Sequence, residues 1–151
     1  MDIGHVVSNF KFTATNNLTA ELKDYANKTV ILYFYPKDAT PGCTTEAQDF
    51  RDAYAQLQAL NVEIFGISRD SLKSHERFKT KQNVPFELIS DSDEQLCHLF
   101  AVIKMKSMYG KEVRGIERST FIIAPKSILI KEWRKVRVKG HVEEILNYLR
   151  S

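Results

Sequence analysis

Tyr33-Phe34-Tyr35-Pro36-Lys37-Asp38-Ala39-Thr40-Pro41-Gly42-Cys43-Thr44-Thr45-Glu46 is the stretch on which the fold turns. The nearly unbroken apolar run from Val30 to Tyr35 reads as a buried strand. Pro36, Pro41 and Gly42 punctuate the turn that follows. From Thr44 to Leu60, Ala47, Phe50, Tyr54 and Leu57 recur at three-to-four spacing and predict a helix with one apolar face. Cys43 therefore stands at the first turn of a helix, at the end of a buried strand. Free N–H groups and the positive end of the helix dipole favour a thiolate there. The thiolate is the nucleophilic form of the side chain, which makes Cys43 a candidate catalytic residue.

The same periodicities extend outward. Phe10 and Phe12 alternate with polar residues, Asn16-Asn17 reads as a turn, and Leu18 to Leu22 as a hairpin partner. Val62, Ile64 and Ile67 form a second central strand. Ser71 to Lys81 is a helix capped by Asp70 or Ser71. Phe86 to Ile89 is a short strand. Ser92 to Phe100 is a helix with Ser92 as N-cap and Gln95 at the capping-box position. Residues 102–118 show no clear period and read as a long functional loop. Ser119 to Ile123 and Ile128 to Trp133 read as a hairpin around Pro125-Lys126, and Val142, Ile145, Leu146 and Leu149 as the stripe of a last helix. Alternating strands and helices predict an α/β three-layer sandwich around a mixed sheet, in an order that resembles the thioredoxin fold. Chemistry in such sheets sits at the carboxyl ends of the central strands, where Cys43 stands.

The chain has 151 residues, 43% hydrophobic and 11% aromatic, which fits one globular domain over residues 1–151. Its net charge of +3 is spread along the chain. The basic stretch Lys131 to Lys139 reads as an edge strand or loop with solvated charges rather than as a nucleic-acid site. No segment approaches a membrane span and no secretory leader is visible, so a cytoplasmic, reducing location is expected. Two cysteines far apart, Cys43 and Cys97, make no disulfide framework. The residues after Cys43 exclude a C-x-x-C dithiol, and no second ligand pair accompanies Cys97-His98 for zinc. A cysteine hydrolase would need a histidine base; His5, His75, His98 and His141 all lie far from Cys43 in sequence and read as surface or helix-end residues.

Peroxide reduction suits the pattern better. Such a site must favour the thiolate, hold the peroxide in line and stabilise charge spreading over sulfur and two oxygens. The Thr40 hydroxyl can donate to one peroxide oxygen and accept from another group, Pro36 offers a rigid shield with no N–H, and a guanidinium can reach both sulfur and oxygen.

The stretch from Tyr35 to Thr44 resembles the peroxiredoxin signature, with Pro36, Thr40 and Cys43 at the P-x-x-x-T-x-x-C spacing. Phe50-Arg51-Asp52, Gly66 to Ser71 with Ser74-His75, Pro85-Phe86 with Ser90-Asp91, and Gly115 to Phe121 are similar to the Q-type subfamily, also called bacterioferritin comigratory protein. The resemblance covers nearly the whole chain. It implies a thioredoxin-like peroxiredoxin fold and a thiol-dependent peroxidase for hydrogen peroxide and organic hydroperoxides, needing no metal, haem or flavin. It implies that Cys43 is the attacking cysteine, Thr40 bonds the peroxide, Pro36 shields the thiolate, Arg118 is the catalytic arginine with Arg114 as its nearby competitor, and Glu46 helps to orient arginines. It further implies thioredoxin, glutaredoxin or a small thiol as reductant, and a monomer. Q-type members often carry a resolving cysteine at the position of Gln48 or near Phe78, and this chain has neither. Three routes stay open: a one-cysteine cycle, resolution by Cys97 within the chain after local unfolding, or pairing of Cys97 with another subunit. The one-cysteine cycle is the expectation here. A redox sensor or holdase using the same cysteine is the competing class.

Overall fold

The computed structural model describes residues 1–151. In chain order the elements are β1 (Lys11–Ala14), β2 (Leu18–Glu21), β3 (Thr29–Phe34), α1 (Pro41–Ala59), β4 (Val62–Ser68), α2 (Leu72–Gln82), β5 (Glu87–Ser90), α3 (Gln95–Leu99), β6 (Ile103–Met108), β7 (Lys111–Ile116), β8 (Ser119–Ala124), β9 (Ile128–Trp133) and α4 (His141–Arg150). Seven strands form one mixed sheet in the order β2-β1-β5-β4-β3-β8-β9. Strand β3 lies parallel to β4 and antiparallel to β8, at the centre.

Alternation along β3 builds both cores. Val30, Leu32 and Phe34 point to one face, where they meet Phe10, Phe12, Leu96, Phe100, Val102 and Ile116. Ile31, Tyr33 and Tyr35 point to the other, where α1, α2 and α4 supply Phe50, Leu57, Phe78, Ile145 and Leu146. A strand buried on both faces reads as the continuous apolar run seen in the sequence. The expected α/β three-layer sandwich is thus present.

Three expectations need correction. Residues 102–118 are not a loop. They carry the antiparallel hairpin β6–β7, turned at Tyr109 and Gly110, both with positive φ (52° and 77°). Most of its side chains face solvent, so no buried stripe marks its period. Helix α3 is shorter than Ser92 to Phe100, and Ser92 does not cap it. Asp91 does that work from further back: its carboxylate accepts from the Leu96 and Cys97 amides at 2.9 and 2.8 Å. Nor are all the histidines peripheral, since His75 and His141 are buried.

Other boundaries follow the local chemistry. Ser71 caps α2 through a bond from the Ser74 amide, and Asn83 closes it in the left-handed conformation. Strand β9 is the sheet edge, and its charges have local partners. Lys131 lies over the Trp133 and Tyr148 rings, and Arg134 donates to the Phe100 and Ala101 carbonyls. No helix is long and apolar enough to cross a membrane.

Candidate active site

Helix α1 starts at Pro41, whose fixed φ and missing N–H suit the first helical position. The first intrahelical bond runs from the Thr44 amide to the Thr40 carbonyl at 2.9 Å. The Gly42 and Cys43 amides precede it and remain donors at the positive helix end. Cys43, Glu46, Ala47 and Phe50 fall on the buried face of α1. Cys43 keeps 2% of its surface and Glu46 none.

Arg118 reaches this face from the other side of the sheet's central pair. It directly precedes β8, and Ser119 at the head of β8 pairs with Phe34 at the end of β3. Antiparallel pairing therefore delivers Arg118 to the strand end from which the Cys43 turn departs. Its Nη2 donates to Cys43 Sγ at 3.3 Å and its Nη1 to Glu46 Oε1 at 2.6 Å. A Cβ at Gly42 would lie 3.3 Å from Nη2, so glycine there leaves room for the guanidinium. Arg114 is elsewhere: it grips Glu94 with both terminal nitrogens, at 2.6 and 2.5 Å.

Burial pushes Glu46 up to about 7, against the pull of Arg118. Its second oxygen, Oε2, has no hydrogen-bond partner, and neither does the buried Tyr33 hydroxyl. Burial first, then the negative groups at Glu46, Cys43 and Asp38, holds Tyr33 well above its ordinary range. Arg118 is raised: burial works against it, but Glu46 and Cys43 outweigh burial.

Pro36 and Thr40 flank the turn between β3 and α1, each half-buried. The Thr40 hydroxyl makes no cap bond to α1. It donates to the Lys37 carbonyl at 2.7 Å, which leaves its oxygen as an acceptor. Between them Ala39 holds φ at 63°, a left-handed conformation unusual for a residue with a Cβ.

The sequence reading missed the groups that hold this turn. Asp38 is buried and accepts from the Tyr35 hydroxyl at 2.6 Å and the Ser74 hydroxyl at 2.8 Å. Its Oδ2 also lies 2.7 Å from His75 Nδ1. The run Ser74-His75 was the available signal, because it recurs in the resemblance without an assigned role.

Arrangement and ancestry agree. Residues 3–132 match the AhpC/TSA family. Peroxiredoxin Bcp of Bacillus subtilis is 48% identical over 151 residues, covering 100% of this chain and 96% of that protein. The chain belongs to the AhpC/TSA family, in its Q-type (Bcp) peroxiredoxin branch. A structure of Xylella fastidiosa PrxQ, a cysteine-to-serine mutant, superposes with a TM-score of 0.95 at 45% identity, covering 99% of this chain and 96% of that one. The bacterioferritin comigratory protein of Xanthomonas campestris, studied for alkyl peroxide reduction, superposes with a TM-score of 0.89 at 45% identity, over 93% and 90% of the two chains. This Q-type chain is accordingly a thiol-dependent peroxidase on a thioredoxin-like fold.

Proposed function

We propose that the chain reduces hydrogen peroxide and organic hydroperoxides through Cys43 in a one-cysteine cycle, as part of antioxidant defence. The observation that carries this reading is the Arg118 guanidinium 3.3 Å from the Cys43 sulfur at the start of α1. A guanidinium carries five N–H donors, and its bonds to Cys43 and Glu46 use two. Others remain to meet oxygen charge as it develops.

The Cys43 thiolate attacks the terminal peroxide oxygen. An S–O bond forms, the O–O bond breaks, and the departing alkoxide or hydroxide takes up a proton to leave as alcohol or water. Sulfur is oxidised to a sulfenic acid by two electrons and the peroxide is reduced by two. The Thr40 oxygen, its own O–H donating to the Lys37 carbonyl, accepts from the peroxide O–H. Pro36 covers the turn without adding an N–H. Glu46 orients Arg118 from below. Two thiols from thioredoxin, glutaredoxin or a small thiol then return the sulfenic acid to thiol, releasing water and a disulfide.

The placement of Cys97 supports the one-cysteine cycle over resolution within the chain. It is buried in the core on one face of the sheet, and Cys43 in the core on the other. Burial, then the neighbouring Asp91 carboxylate, holds the Cys97 thiol well above its ordinary range, so it resists forming the attacking thiolate. Peroxide consumption with a small-thiol reductant tests the reading. Cys43→Ser should abolish it and Cys97→Ser should retain it. Loss of turnover in folded Cys97→Ser, with every reductant, would contradict the one-cysteine cycle.

A further inference from the structure

We propose that Asp38 and His75 act as a buried positioning pair that fixes the Lys37–Thr40 turn, and with it the Thr40 oxygen, for in-line attack by Cys43; this rests on the peroxidase reading of Cys43.

The protonation pattern follows from the partners. His75 Nε2 lies 3.0 Å from the Ile89 carbonyl, which can only accept, so Nε2 carries a hydrogen. Nδ1 lies 2.7 Å from Asp38 Oδ2, and one proton must lie between them. The pair is therefore net neutral, whichever atom holds the proton. Burial alone would raise Asp38, but the hydrogen bond and charge of His75, with the Tyr35 and Ser74 donors, bring it below its ordinary value. Three donors converge on one carboxylate that keeps 6% of its surface, and His75 keeps none. Removing one partner from such a group leaves a buried polar atom unsatisfied.

The Asp38 backbone is also held. Its N–H donates to Asp70 Oδ2 at 3.0 Å, and Asp70 in turn accepts from the Ser68 hydroxyl at 2.5 Å. Asp38 is thus tied to Asp70, and through it to Ser68 of β4, by its main chain, and to α2 by its side chain, with His75 linking on to Ile89 of β5. Directly after it comes Ala39 at φ 63°, a conformation that persists only where neighbouring contacts impose it. Directly after that comes Thr40, the N-cap of α1. The network holds Asp38, and so stabilises the strained residue that immediately precedes Thr40. It touches neither Cys43 nor Arg118 through any hydrogen bond, so its effect on the reaction runs through the turn.

A role confined to geometry has a distinct kinetic signature. Attack on a peroxide depends on Thr40 and on alignment, whereas alkylation by iodoacetamide depends on the thiolate and its access. The test is the second-order rate of Cys43 oxidation by hydrogen peroxide and the rate of its alkylation, at one pH, in the full chain. His75→Ala should slow oxidation about tenfold to a hundredfold, the scale of a misplaced reacting group. Its alkylation should stay within about threefold, because the thiolate and its access are left as they were. His75→Asn, which keeps a donor near Asp38, should recover part of the oxidation rate. Oxidation and alkylation falling together, or oxidation unchanged in a folded His75→Ala, would overturn the proposal. If His75→Ala does not fold, Ser74→Ala carries the same comparison. It removes one donor, and oxidation should slow about two- to tenfold with alkylation unchanged; an unchanged ratio overturns the proposal. Failure of the peroxidase reading looks different, because the native chain itself would then not oxidise at Cys43.

Discussion

Arg118 stands between the Cys43 sulfur and the Glu46 carboxyl group, donating to both, and its value to the reaction comes from that placement. Arg118→Ala should lower the rate of Cys43 oxidation by about two to three orders of magnitude, the usual effect of losing a donor aimed at developing charge. Stopped-flow oxidation by hydrogen peroxide measures it, and a rate within about threefold of native would assign the role elsewhere. Glu46 gives a pH signature. Its carboxyl titrates near 7 in the fold, against an ordinary 4.5. A raised folded-state value means the folded chain holds the proton more tightly. The stabilisation is therefore full below about pH 4.5 and is lost as pH rises to about 7, amounting to roughly 3 kcal/mol. Urea midpoints of the native chain should fall over that window relative to Glu46→Gln, which cannot titrate; parallel curves would contradict it. Pro36, Thr40 and Cys43 could be picked out from residue type and spacing, whereas Glu46 and Arg118 entered only through the family resemblance. The Asp38–His75 pair was not, because nothing local says that a histidine 37 positions away will be buried against that carboxylate.

Strand β4 faces β3 in parallel register with Gly66 opposite Tyr33. A Cβ at Gly66 would lie 2.7 Å from the Tyr33 ring and 2.8 Å from Leu88. Gly66→Ala should therefore cost about 1–3 kcal/mol of stability by overpacking, read from denaturant midpoints. The β6–β7 hairpin is held differently. Arg114 on β7 and Arg69 after β4 both bond Glu94 at the start of α3, and the Arg114 bonds first, then Arg69, hold that carboxyl at about 2. Glu94→Gln should speed amide hydrogen exchange across residues 103–116 and leave β3 unchanged; equal protection in both would contradict the clamp. Strands buried on two faces and helices with an apolar stripe declared themselves through periodicity. The hairpin did not, because Lys104, Met105, Ser107 and Met108 answer to solvent rather than to a core. Only Tyr109-Gly110 hinted at its turn.

The sheet divides the molecule into two cores, and each core holds one cysteine. The layer order was legible from alternating strands and helices, whereas the face on which Cys97 packs depends on the short α3 and its Asp91 cap. A Cys43–Cys97 bond within the chain would require the sheet or its covering helices to open, since disulfides tolerate only short Cα separations. The deciding measurement is the intact mass of reduced protein after one equivalent of hydrogen peroxide, with a sulfenic-acid trap present. A single trapped adduct on Cys43, with Cys97 still a free thiol, is the predicted result. Loss of two hydrogens, with a Cys43–Cys97 peptide after digestion, would contradict it.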